Sequence, residues 1–596
     1  MKLSAFALDF DGTTSVDGTL HPAVRRAIAD VRRRGIAVVL ATGRRLDELH
    51  RGAGDLTCFD AIVGENGAVL EFPGRGGRHV VLAHPPNPLL FDTLRQRQVD
   101  FAVGECVVET HAAFAPAVLD AVRQLELPLM LAFNRARLMV LPPAVSKSTG
   151  LRQALRALRL SLHNTVGVGD AENDHDLLDA CEVGAAVAWG SSALRAVADE
   201  VVEGTEPSAV AAFMRRIADQ PRLSSAQMGR RHLSLGYELD GAPVKLALRG
   251  RTILVAGEPG TGKSWLAGLL CEQLILQEYC ICVIDPEGDY ETLRTLPGMM
   301  TLGGDDPPPS PRELARALEH PDVSIIINLA RLTHADKVEY VRRALPLLNA
   351  LRRRTGLPHK IVLDEAHYFL TDIDHTALID PELAGYVIVT YRISTLDPSI
   401  RRPSDTVVLV TQETDEMEVG ALVAMCRPAP NLPAAGAVLA DLQPTEAVLL
   451  PGPEESHGGM RRFRLAPRMT EHVRHRAKYL DMPVTDAQAF VFRDREGSPV
   501  RARTLKEFVT VLDGLPAADL RGHLDRHDFS RWIEDVFRDR GLGTRIRVLE
   551  RRAMKDDDAR KVLEAIGQAI RARYETRTDD APDGRTHNVN GGHVHV

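Results

Sequence analysis

The sequence predicts an α/β protein with two successive alternating segments and a smaller, mainly helical C-terminal domain. In the first 200 residues, apolar runs at 6–8, 36–40 and 165–168 alternate with helical patterns. The alternation returns from 252–256 onward, and after about residue 461 the chain changes to short charged helices with aromatic residues. Strands that alternate with helices imply parallel sheets with right-handed crossovers. Such sheets bind ligands at the carboxyl ends of their strands.

Composition narrows the functional classes. The 596 residues are 44 % apolar and 26 % charged, as in an ordinary globular protein. Lysine and arginine number 73 against 81 acidic residues, a net charge of −8, so any nucleic-acid contact must be a local patch. Seven cysteines without a C-x-x-C pair are too few for a disulfide framework. No run approaches the roughly 18 apolar residues of a membrane span, and we expect a cytoplasmic protein that does not enter a membrane.

The individual elements follow from periodicity. Val24, Ala27, Ile28 and Val31 mark an amphipathic helix that Gly35 ends. In the second segment, apolar strands are predicted at 252–256, 281–284, 324–329, 361–363, 386–390 and 406–410. Residues 305–311 are rich in proline and glycine and predict a loop. Further on, residues 489–492 predict a strand and 505–512 a helix.

Two carboxylates follow the first strand directly. Asp9 and Asp11 are two residues apart in D-F-D-G-T, and residues i and i+2 of an extended segment point the same way. Both carboxylates can therefore face one reacting centre. A bare D-x-D after a strand is more often only a solvated turn, so the interpretation depends on the other motifs.

Three later motifs supply groups that complement these carboxylates. Thr42 in A-T-G-R brings a hydroxyl to the end of the second strand, and Lys147 precedes a helix. Asp170 and Asp174, in G-D-A-E-N-D, end a third strand. A nucleophile, a hydroxyl, a cation and metal-binding acids are the groups that phosphoryl transfer through an aspartyl phosphate needs.

With these motifs in order, residues 1–204 resemble the haloacid dehalogenase superfamily, in its Cof-type branch, which has a Rossmann-like core and an inserted α/β cap. The tetrapeptide E-N-G-A at 65–68 also fits that branch. The resemblance implies that Asp9 attacks phosphorus, while Asp11 protonates the leaving oxygen and later deprotonates the hydrolytic water. Thr42 and Lys147 would hold the phosphoryl oxygens.

The resemblance also implies a magnesium ion. Its ligands would be Asp9, the backbone carbonyl of Asp11, and Asp170, whereas Asp174 would steer Lys147 or a metal-bound water. Several carboxylates crowded together without a cation would repel one another. The family's usual substrates are sugar phosphates and other small phosphate esters.

A phosphate-binding loop occurs in the second segment. Gly257, Glu258, Pro259, Gly260, Thr261, Gly262, Lys263 and Ser264 match G-x-x-x-x-G-K-[ST]. A strand precedes the loop and a helical stripe follows it, which is the context that this motif requires. Backbone N–H groups of the loop would surround the phosphates of ATP. Lys263 would reach the β- and γ-phosphates, and Ser264 would bind magnesium.

The D-E-A-H motif provides the partner of this loop. Asp364 at the end of a strand would hold magnesium, and Glu365 would polarise the attacking water; the alternative is an acid pair that caps a helix. Thr390 closes the next strand and is a candidate γ-phosphate sensor. Three arginines, Arg392, Arg401 and Arg402, are candidates for an arginine finger, although arginines in loops are mostly solvated.

With D-P-E-G-D-Y at 285–290 and the long segment 386–410, residues 233–450 resemble the HerA/FtsK-type ATPases, which have a RecA-like fold. Relatives of this type often form rings and move DNA. The resemblance therefore implies ATP as substrate, and DNA and further copies of the chain as candidate partners.

The remaining chain carries weaker signals. Residues 461–478 hold six arginines and one lysine against one acid, which predicts either a phosphate-binding patch or, more often, a solvated helix or linker. His523, His527 and Asp528 could bind a metal, but surface histidines are the commoner explanation. Residues 576–596 are polar and predict a disordered tail.

The predicted boundaries follow from these segments. A phosphatase domain at 1–204 has its core at 1–81 and 142–204 and its cap at about 82–141. A linker at 205–232 leads to the ATPase domain at 233–460. A basic linker at 461–480 precedes an accessory domain at 481–575.

Together the motifs predict a bifunctional enzyme, a magnesium-dependent phosphomonoester hydrolase joined to an ATP-hydrolysing module for which DNA is a candidate substrate. One alternative is a polynucleotide 5′-kinase with 3′-phosphatase activity, but Glu365 and the inserted cap argue against it. The other is a nucleotide-dependent assembly module that carries a sugar-phosphate phosphatase.

Overall fold

The structure is a computed structural model. It describes residues 2–134, 136–220, 223, 230–370, 378–380, 382–397, 400, 406–426, 429–451, 459–470, 484, 488–493, 499–537, 539–553 and 559–574. The chain divides into two compact units. The first, residues 1–286, 290–331 and 338–471, holds both α/β domains, and the second, residues 287–289, 332–337 and 472–596, holds the C-terminal domain.

The first domain alternates strands and helices, as predicted. Its core elements are β1 Ala5–Asp9, β2 Ser15–Val16, β3 Thr19–Leu20, α1 Pro22–Arg33, β4 Ala37–Ala41, α2 Leu46–Gly52, β5 Ala61–Gly64, β6 Val69–Phe72 and β7 Arg78–Val81. The cap follows with α3 Pro88–Gln96, β8 Phe101–Val103, β9 Val108–His111, α4 Ala115–Gln124, β10 Met130–Asn134 and β11 Arg137–Leu141. The core then resumes with α5 Lys147–Leu158, β12 Thr165–Gly169, α6 His175–Ala180, β13 Val183–Val187, α7 Ser192–Val197, β14 Glu200–Val202 and α8 Pro207–Ala218.

A central sheet places β1 at the heart of this domain. In the described part of the chain it has eight strands in the order β14-β13-β12-β1-β4-β5-β6-β7. The strands from β14 to β5 are parallel, and β6 and β7 join antiparallel. All five residues of β1 are buried. An apolar strand covered on both faces is typical of parallel sheets with helices on each side.

The cap is a separate small layer. Its described strands form an antiparallel sheet in the order β10-β11-β9-β8. Leu90 and Leu94 of α3 and Val118 of α4 pack against Val108 and Leu138 of that sheet. The inserted α/β cap at about 82–141 thus corresponds to a real compact layer.

The second domain is built on a larger sheet. Its elements are β15 His232–Glu238, β16 Pro243–Ala247, β17 Thr252–Ala256, α9 Lys263–Leu276, β18 Ile281–Asp285, β19 Met299–Gly303, α10 Pro311–Ala317, β20 Ser324–Asn328, α11 His334–Thr355, β21 Lys360–Leu363, β22 Tyr386–Val389, β23 Thr406–Val410, α12 Glu416–Val423, α13 Leu432–Ala440, β24 Glu446–Leu449 and β25 Arg461–Leu465. The described strands lie in the order β16-β15-β25-β24-β23-β17-β22-β21-β18-β20-β19. The strands from β23 to β19 are parallel, and the other four form an antiparallel extension.

The C-terminal domain is mainly helical, as predicted. Its elements are the hairpin β26 Phe490–Arg493 and β27 Pro499–Ala502, followed by α14 Leu505–Gly514, α15 Ala517–Asp525, α16 Asp528–Val536, α17 Arg540–Ala553 and α18 Ala559–Tyr574. Its aromatic core includes Phe490, Phe508, Phe529 and Trp532. The predicted disordered tail at 576–596 lies outside the described residues.

Two predicted linkers contain regular elements. Within 205–232, helix α8 buries Val210, Met214 and Ile217 in the core of the first domain, because its apolar residues recur at helical spacing. Within 461–480, strand β25 pairs with β24 and β15 and buries Phe463. The sequence pattern did not predict this strand, because arginines occupy most of its positions. Residues 471–480 lie outside the described residues.

A buried polar network joins the first and second domains. The His163 ring stacks on Tyr279 with centroids 3.7 Å apart, and the Tyr279 hydroxyl donates to Glu182 at 2.8 Å. The Nε2 of His359 lies 3.1 Å from Asn164 Oδ1. All five side chains are buried. The two domains therefore meet through a specific, packed contact.

Among the described residues, no helix is both long and apolar enough to cross a membrane.

Candidate active sites

The first candidate site lies where three strands of the first domain end. β1 lies between β12 and β4, with Leu8 opposite Val168 and Asp9 opposite Ala41. Because all three strands run parallel, their carboxyl ends meet at one edge of the sheet. The topology thus places Asp9, Thr42 and Asp170 at the same edge of the sheet.

Lys147 is the cation of this site. Its Nζ donates to Asp9 Oδ1 at 2.5 Å and to Asp174 Oδ1 at 2.6 Å, with all three side chains almost fully buried. Lys147 opens α5, and Ser146 caps that helix in a reciprocal capping box with Thr149. The cap holds the first turn in place and so positions the ammonium group.

Charge complementarity explains how this lysine can be buried. Burial lowers the pKa of Lys147, but the carboxylates of Asp174 and Asp9 raise it by more, so the ammonium stays charged. Burial raises the pKa of the Asp9 carboxyl well above its usual range; the charges of Asp174 and Asp170 add to the rise, and Lys147 opposes it. A cluster of this kind needs more positive charge than one lysine supplies.

The donor set fits a hard cation. Carboxylate oxygens of Asp9, Asp170 and Asp174 lie within 4.8 Å of one another, the only such group of possible metal ligands among the described residues. Asp9 Oδ2 is buried, and no described residue forms a hydrogen bond with it. Asp174 Oδ2 accepts the backbone N–H groups of Asp170 and Ala171 at 3.0 Å each, so Asp174 orders this loop as well as Lys147.

Asp11 and Thr42 lie at the entrance of the site. Arg44 donates to both oxygens of Asp11, from Nε at 2.7 Å and Nη2 at 2.6 Å. The Thr42 side chain is buried, and its Oγ1 accepts the Arg44 N–H at 3.1 Å. Sequence reasoning gave Arg44 no role; its place two residues after Thr42 was the available signal.

A cavity of about 240 Å³ opens over these groups. It is lined by Asp9, Asp11, Gly43 and Arg44 from the core and by Glu109, Asn134, Ala136, Arg137 and Met139 from the cap. In the cap, Arg137 Nη1 lies 2.9 Å from Glu109 Oε1. Burial raises the pKa of the Glu109 carboxyl. These cap residues carry no motif, and only the fold reveals that they face Asp9.

The E-N-G-A tetrapeptide joins core and cap. The buried Glu65 carboxylate accepts the backbone N–H groups of Glu105 at 2.8 Å and Cys106 at 2.9 Å. Gly67 has φ +107°, and a Cβ there would lie 1.8 Å from the carbonyl oxygen of Ser146. The tetrapeptide therefore anchors the chain that leads into the cap and packs against the start of α5.

The second candidate site is the loop between β17 and α9. Residues 257–262 form the loop. Lys263 is the first residue of the helix and Ser264 is the second. Gly257 has φ +138°, and a Cβ there would lie 2.1 Å from Thr411 Oγ1, so this position requires glycine. The first N–H groups of a helix lack intrahelical acceptors and favour an anion.

Interactions within the second domain brace this loop. Lys263 Nζ donates to the carbonyl oxygen of Glu258 at 2.8 Å. The Glu258 side chain accepts the N–H of Thr414 at 2.9 Å, and Thr261 Oγ1 lies 2.7 Å from Thr411 Oγ1. The segment after β23 thus fixes the shape of the loop from one side.

The D-E-A-H motif approaches from the other side. β22 lies between β17 and β21, so the ends of these strands place Thr390 between the loop and Asp364. The side chains of Asp364, Glu365 and Thr390 are buried. Glu365 has φ +45°, a strained backbone conformation that is often found at functional sites.

The remaining predicted residues have mixed outcomes. Arg392 follows Thr390 closely and lies over the Tyr391 ring at 5.2 Å, whereas Arg401 and Arg402 lie outside the described residues. In the C-terminal domain His523 Nδ1 lies 2.9 Å from Asp528, and no metal cluster forms there among the described residues.

The arginine run at 461–478 is partly neutralised. Arg461 lies 2.6 Å from Glu238 and Arg462 2.5 Å from Glu446. The two glutamates neutralise positive charge that binding to nucleic acid would need. The part of the run beyond residue 470 lies outside the described residues.

Comparison with known proteins identifies both α/β domains. The haloacid dehalogenase-like hydrolase family matches residues 6–103 and 124–214, and the central domain of helicase HerA matches residues 234–355. A phosphoglycolate phosphatase of Methanothermobacter thermautotrophicus is 23 % identical over 227 residues, 36 % of this chain and 98 % of that protein. One of Methanosarcina acetivorans is 25 % identical over 231 residues, 34 % of this chain and 92 % of that protein.

Solved structures show similarity to about a third of this chain. The crystal structure of a haloacid dehalogenase-like hydrolase from Bacteroides thetaiotaomicron is 16 % identical and covers 36 % of this chain and 100 % of that chain, with a TM-score of 0.32.

Proposed function

Because the chain joins a haloacid dehalogenase-like hydrolase domain to a HerA-type ATPase domain, we propose that it hydrolyses a small phosphate monoester at Asp9 and ATP at the loop 257–264. The two reactions would use separate sites. The observation that carries the first is the buried cluster in which Lys147 bridges Asp9 and Asp174, while Asp9 Oδ2 has no hydrogen-bond partner among the described residues.

In the proposed phosphatase reaction, Asp9 Oδ2 attacks phosphorus and the bond to the leaving oxygen breaks. Asp11 donates its proton to that oxygen, which leaves as an alcohol. A water molecule then attacks the aspartyl phosphate, Asp11 takes the water's proton, and phosphate and free Asp9 are released. Thr42 and Lys147 would hold the phosphoryl oxygens. Arg44, which donates to both oxygens of Asp11, would hold that carboxyl in a fixed position at the entrance of the site.

Magnesium is the cation that we propose for the first site. Asp9, Asp170 and the backbone carbonyl of Asp11 would hold it, with Asp174 orienting Lys147. When bound, the ion supplies positive charge that offsets the crowded carboxylates and the phosphate.

The substrate that we propose is small, because the cap encloses only about 240 Å³ above Asp9. The two archaeal relatives are phosphoglycolate phosphatases. We therefore expect turnover of phosphoglycolate or of small sugar phosphates in preference to DNA 3′-phosphates, and a panel of these esters tests this choice.

The first test replaces the nucleophile. Asp9→Asn removes the attacking oxygen, so we expect release of nitrophenol from p-nitrophenyl phosphate in Mg²⁺ to fall at least about 10³-fold. Asp92→Asn, on the exposed face of the cap, should retain wild-type activity. EDTA should abolish wild-type turnover. Full activity of Asp9→Asn would contradict the assignment of the nucleophile.

For the second site, we propose that Lys263 contacts the β- and γ-phosphates, Ser264 and Asp364 hold magnesium, and Thr390 senses the γ-phosphate. Glu365 would take the proton of the water that attacks the γ-phosphorus as the bond to ADP breaks. Glu365 next to Asp364 supports hydrolysis rather than transfer to a 5′-hydroxyl. DNA as a partner and a ring of several copies belong to the same proposal, because the motifs of this domain resemble those of the HerA/FtsK-type ATPases. Arg392 is then the described candidate for a finger that reaches a neighbouring site.

ATP turnover tests this proposal. Lys263→Ala should lower phosphate release from ATP at least about 100-fold, since the phosphates lose their lysine. Lys245→Ala, on β16 and away from the loop, serves as control. A polynucleotide kinase would instead transfer label from γ-labelled ATP to a 5′-hydroxyl DNA end. Added duplex DNA should stimulate the wild type, and light scattering gives the assembly state with and without ATP.

A further inference from the structure

One histidine of the D-E-A-H motif has no role in the function described above. His367 lies in the short helical turn that follows Glu365, and its side chain is 8 % exposed. It therefore lies inside the second site, between the ends of β21 and β22.

Aromatic neighbours hold the His367 ring in place. The ring meets Tyr368 edge-on at a centroid distance of 4.7 Å and Tyr391 at 4.4 Å. These two ring contacts restrict the rotation of the imidazole.

The Nδ1 of His367 faces two groups of the proposed ATPase chemistry. Nδ1 lies 3.4 Å from Thr390 Oγ1 and 3.6 Å from Glu365 Oε2. Both distances are slightly longer than an ordinary hydrogen bond, so a shift of a few tenths of an ångström would close either contact. A single N–H cannot serve both acceptors at full strength.

The hydroxyl of Thr390 has a second donor. The backbone N–H of Arg392 donates to Thr390 Oγ1 at 3.0 Å. With its oxygen accepting from the protein, Thr390 keeps its own proton for another acceptor, and a γ-phosphate oxygen is the acceptor that the proposed function supplies.

We propose that His367 is a positioning residue that links the γ-phosphate sensor Thr390 to the base Glu365. Its Nδ1–H is shared between Thr390 Oγ1 and Glu365 Oε2, so that it orients the Thr390 hydroxyl towards phosphate and steers the Glu365 carboxylate towards the attacking water. The inference rests on the proposed ATPase function. It predicts that His367 affects the hydrolytic step and not the binding of ATP.

Two substitutions separate this role from simple packing. His367→Phe keeps an aromatic ring between the two tyrosines but has no donor. His367→Asn loses the ring but places an amide N–H close to the position of Nδ1. A packing role makes the Phe variant the better enzyme, whereas the proposed role makes the Asn variant the better one.

The experiment measures steady-state ATP hydrolysis and the Kd for ATP of the full chain, wild type and variants. We expect kcat of His367→Phe to fall at least about tenfold with Kd within about threefold of wild type, and His367→Asn to keep more than about a third of wild-type kcat. His320→Phe, at an exposed histidine, should match the wild type. Wild-type kcat in His367→Phe, or a higher kcat there than in His367→Asn, would overturn the proposal.

A second measurement covers the case in which Phe is poorly accommodated. If His367 acts partly through Thr390, the double variant His367→Ala/Thr390→Val should lose less kcat than the product of the two single losses, because the contact between the two residues is already lost in either single variant. Multiplied losses would overturn the link. Absence of ATP turnover in the wild type would overturn the ATPase function and this inference with it, whereas the results above overturn the inference alone.

Discussion

Lys147 balances a cluster of buried negative charge. It contacts Asp9 and Asp174 directly, and Asp170 lies close by. Removing one partner of a buried ion pair leaves an uncompensated charge, which is far more costly than losing a surface pair. The cluster that we propose for catalysis should therefore make stability depend on cations.

Lys147→Met is the variant that exposes this dependence. It keeps the length of the side chain and removes its charge, so we expect the free energy of unfolding to fall by about 3–5 kcal/mol in EDTA. Saturating Mg²⁺ should restore a large part of the lost free energy of unfolding, because the ion supplies the missing positive charge. Urea unfolding in EDTA and in Mg²⁺ measures both values.

Lys360→Met is the matched control. Lys360 is equally buried, but it donates to the carbonyl oxygens of Leu248 at 3.1 Å and Arg251 at 2.8 Å, and burial lowers its pKa to about 7. The decrease in the free energy of unfolding of Lys360→Met should be the same with and without Mg²⁺. Equal losses in both media for Lys147→Met would contradict the charge-balance argument.

Helix α5 depends on the turn that packs against its start. Gly67 approaches the carbonyl of Ser146, the residue that caps α5. The backbone of the E-N-G-A turn therefore limits where Lys147 can lie. A change in that turn should act on both stability and catalysis.

Gly67→Ala tests this packing. A Cβ 1.8 Å from the Ser146 oxygen, on a backbone with φ +107°, cannot be accommodated without moving α5. We expect a loss of at least about 3 kcal/mol of stability, together with lower phosphatase kcat. Gly35→Ala is the control: φ there is +78° with nothing within 4 Å of the added Cβ, so only strain of about 1 kcal/mol is expected. Similar losses of stability in the two variants would show that backbone strain, and not the contact with Ser146, causes the loss in Gly67→Ala.

The contact between the two α/β domains is sensitive to acid. The Nδ1 of His359 accepts the backbone N–H of Cys280 at 2.8 Å, and its Nε2 donates to Asn164. A second proton on Nδ1 would point at the Cys280 N–H, so that hydrogen bond would be lost. Burial lowers the pKa of His359 well below its ordinary value, and the positive neighbours His163, Arg352 and Lys360 lower it further.

This histidine predicts a pH dependence. Below about pH 6.5 the unfolded chain binds a proton at His359 that the folded chain does not, so stability falls as pH falls. From pH 6.5 to 5 the loss attributable to this group is about 2 kcal/mol. His359→Gln should be less stable at pH 7 but should lose less on acidification. Urea unfolding at several pH values measures the slope, and His320→Gln should keep the wild-type slope.

Much of the fold could be predicted from the sequence, because the signals are local. The apolar runs at 252–256 and 406–410 correspond to strands with those bounds, and β1 extends the predicted 6–8 by one residue at each end. The linker predictions at 205–232 and 461–480 missed α8 and β25, whose apolar faces are recognisable only once their partners are known.

By itself, the sequence determined which side chains are candidates for chemistry, because the motifs are local. Asp9, Lys147 and Lys263 stand at strand ends or helix starts, and parallel topology then brings such ends together. Only the tertiary structure decided that Arg44 donates hydrogen bonds to Asp11 and that His367 lies close to both Thr390 and Glu365. These pairings depend on how loops turn and side chains pack across the fold, and nearby residues do not encode them.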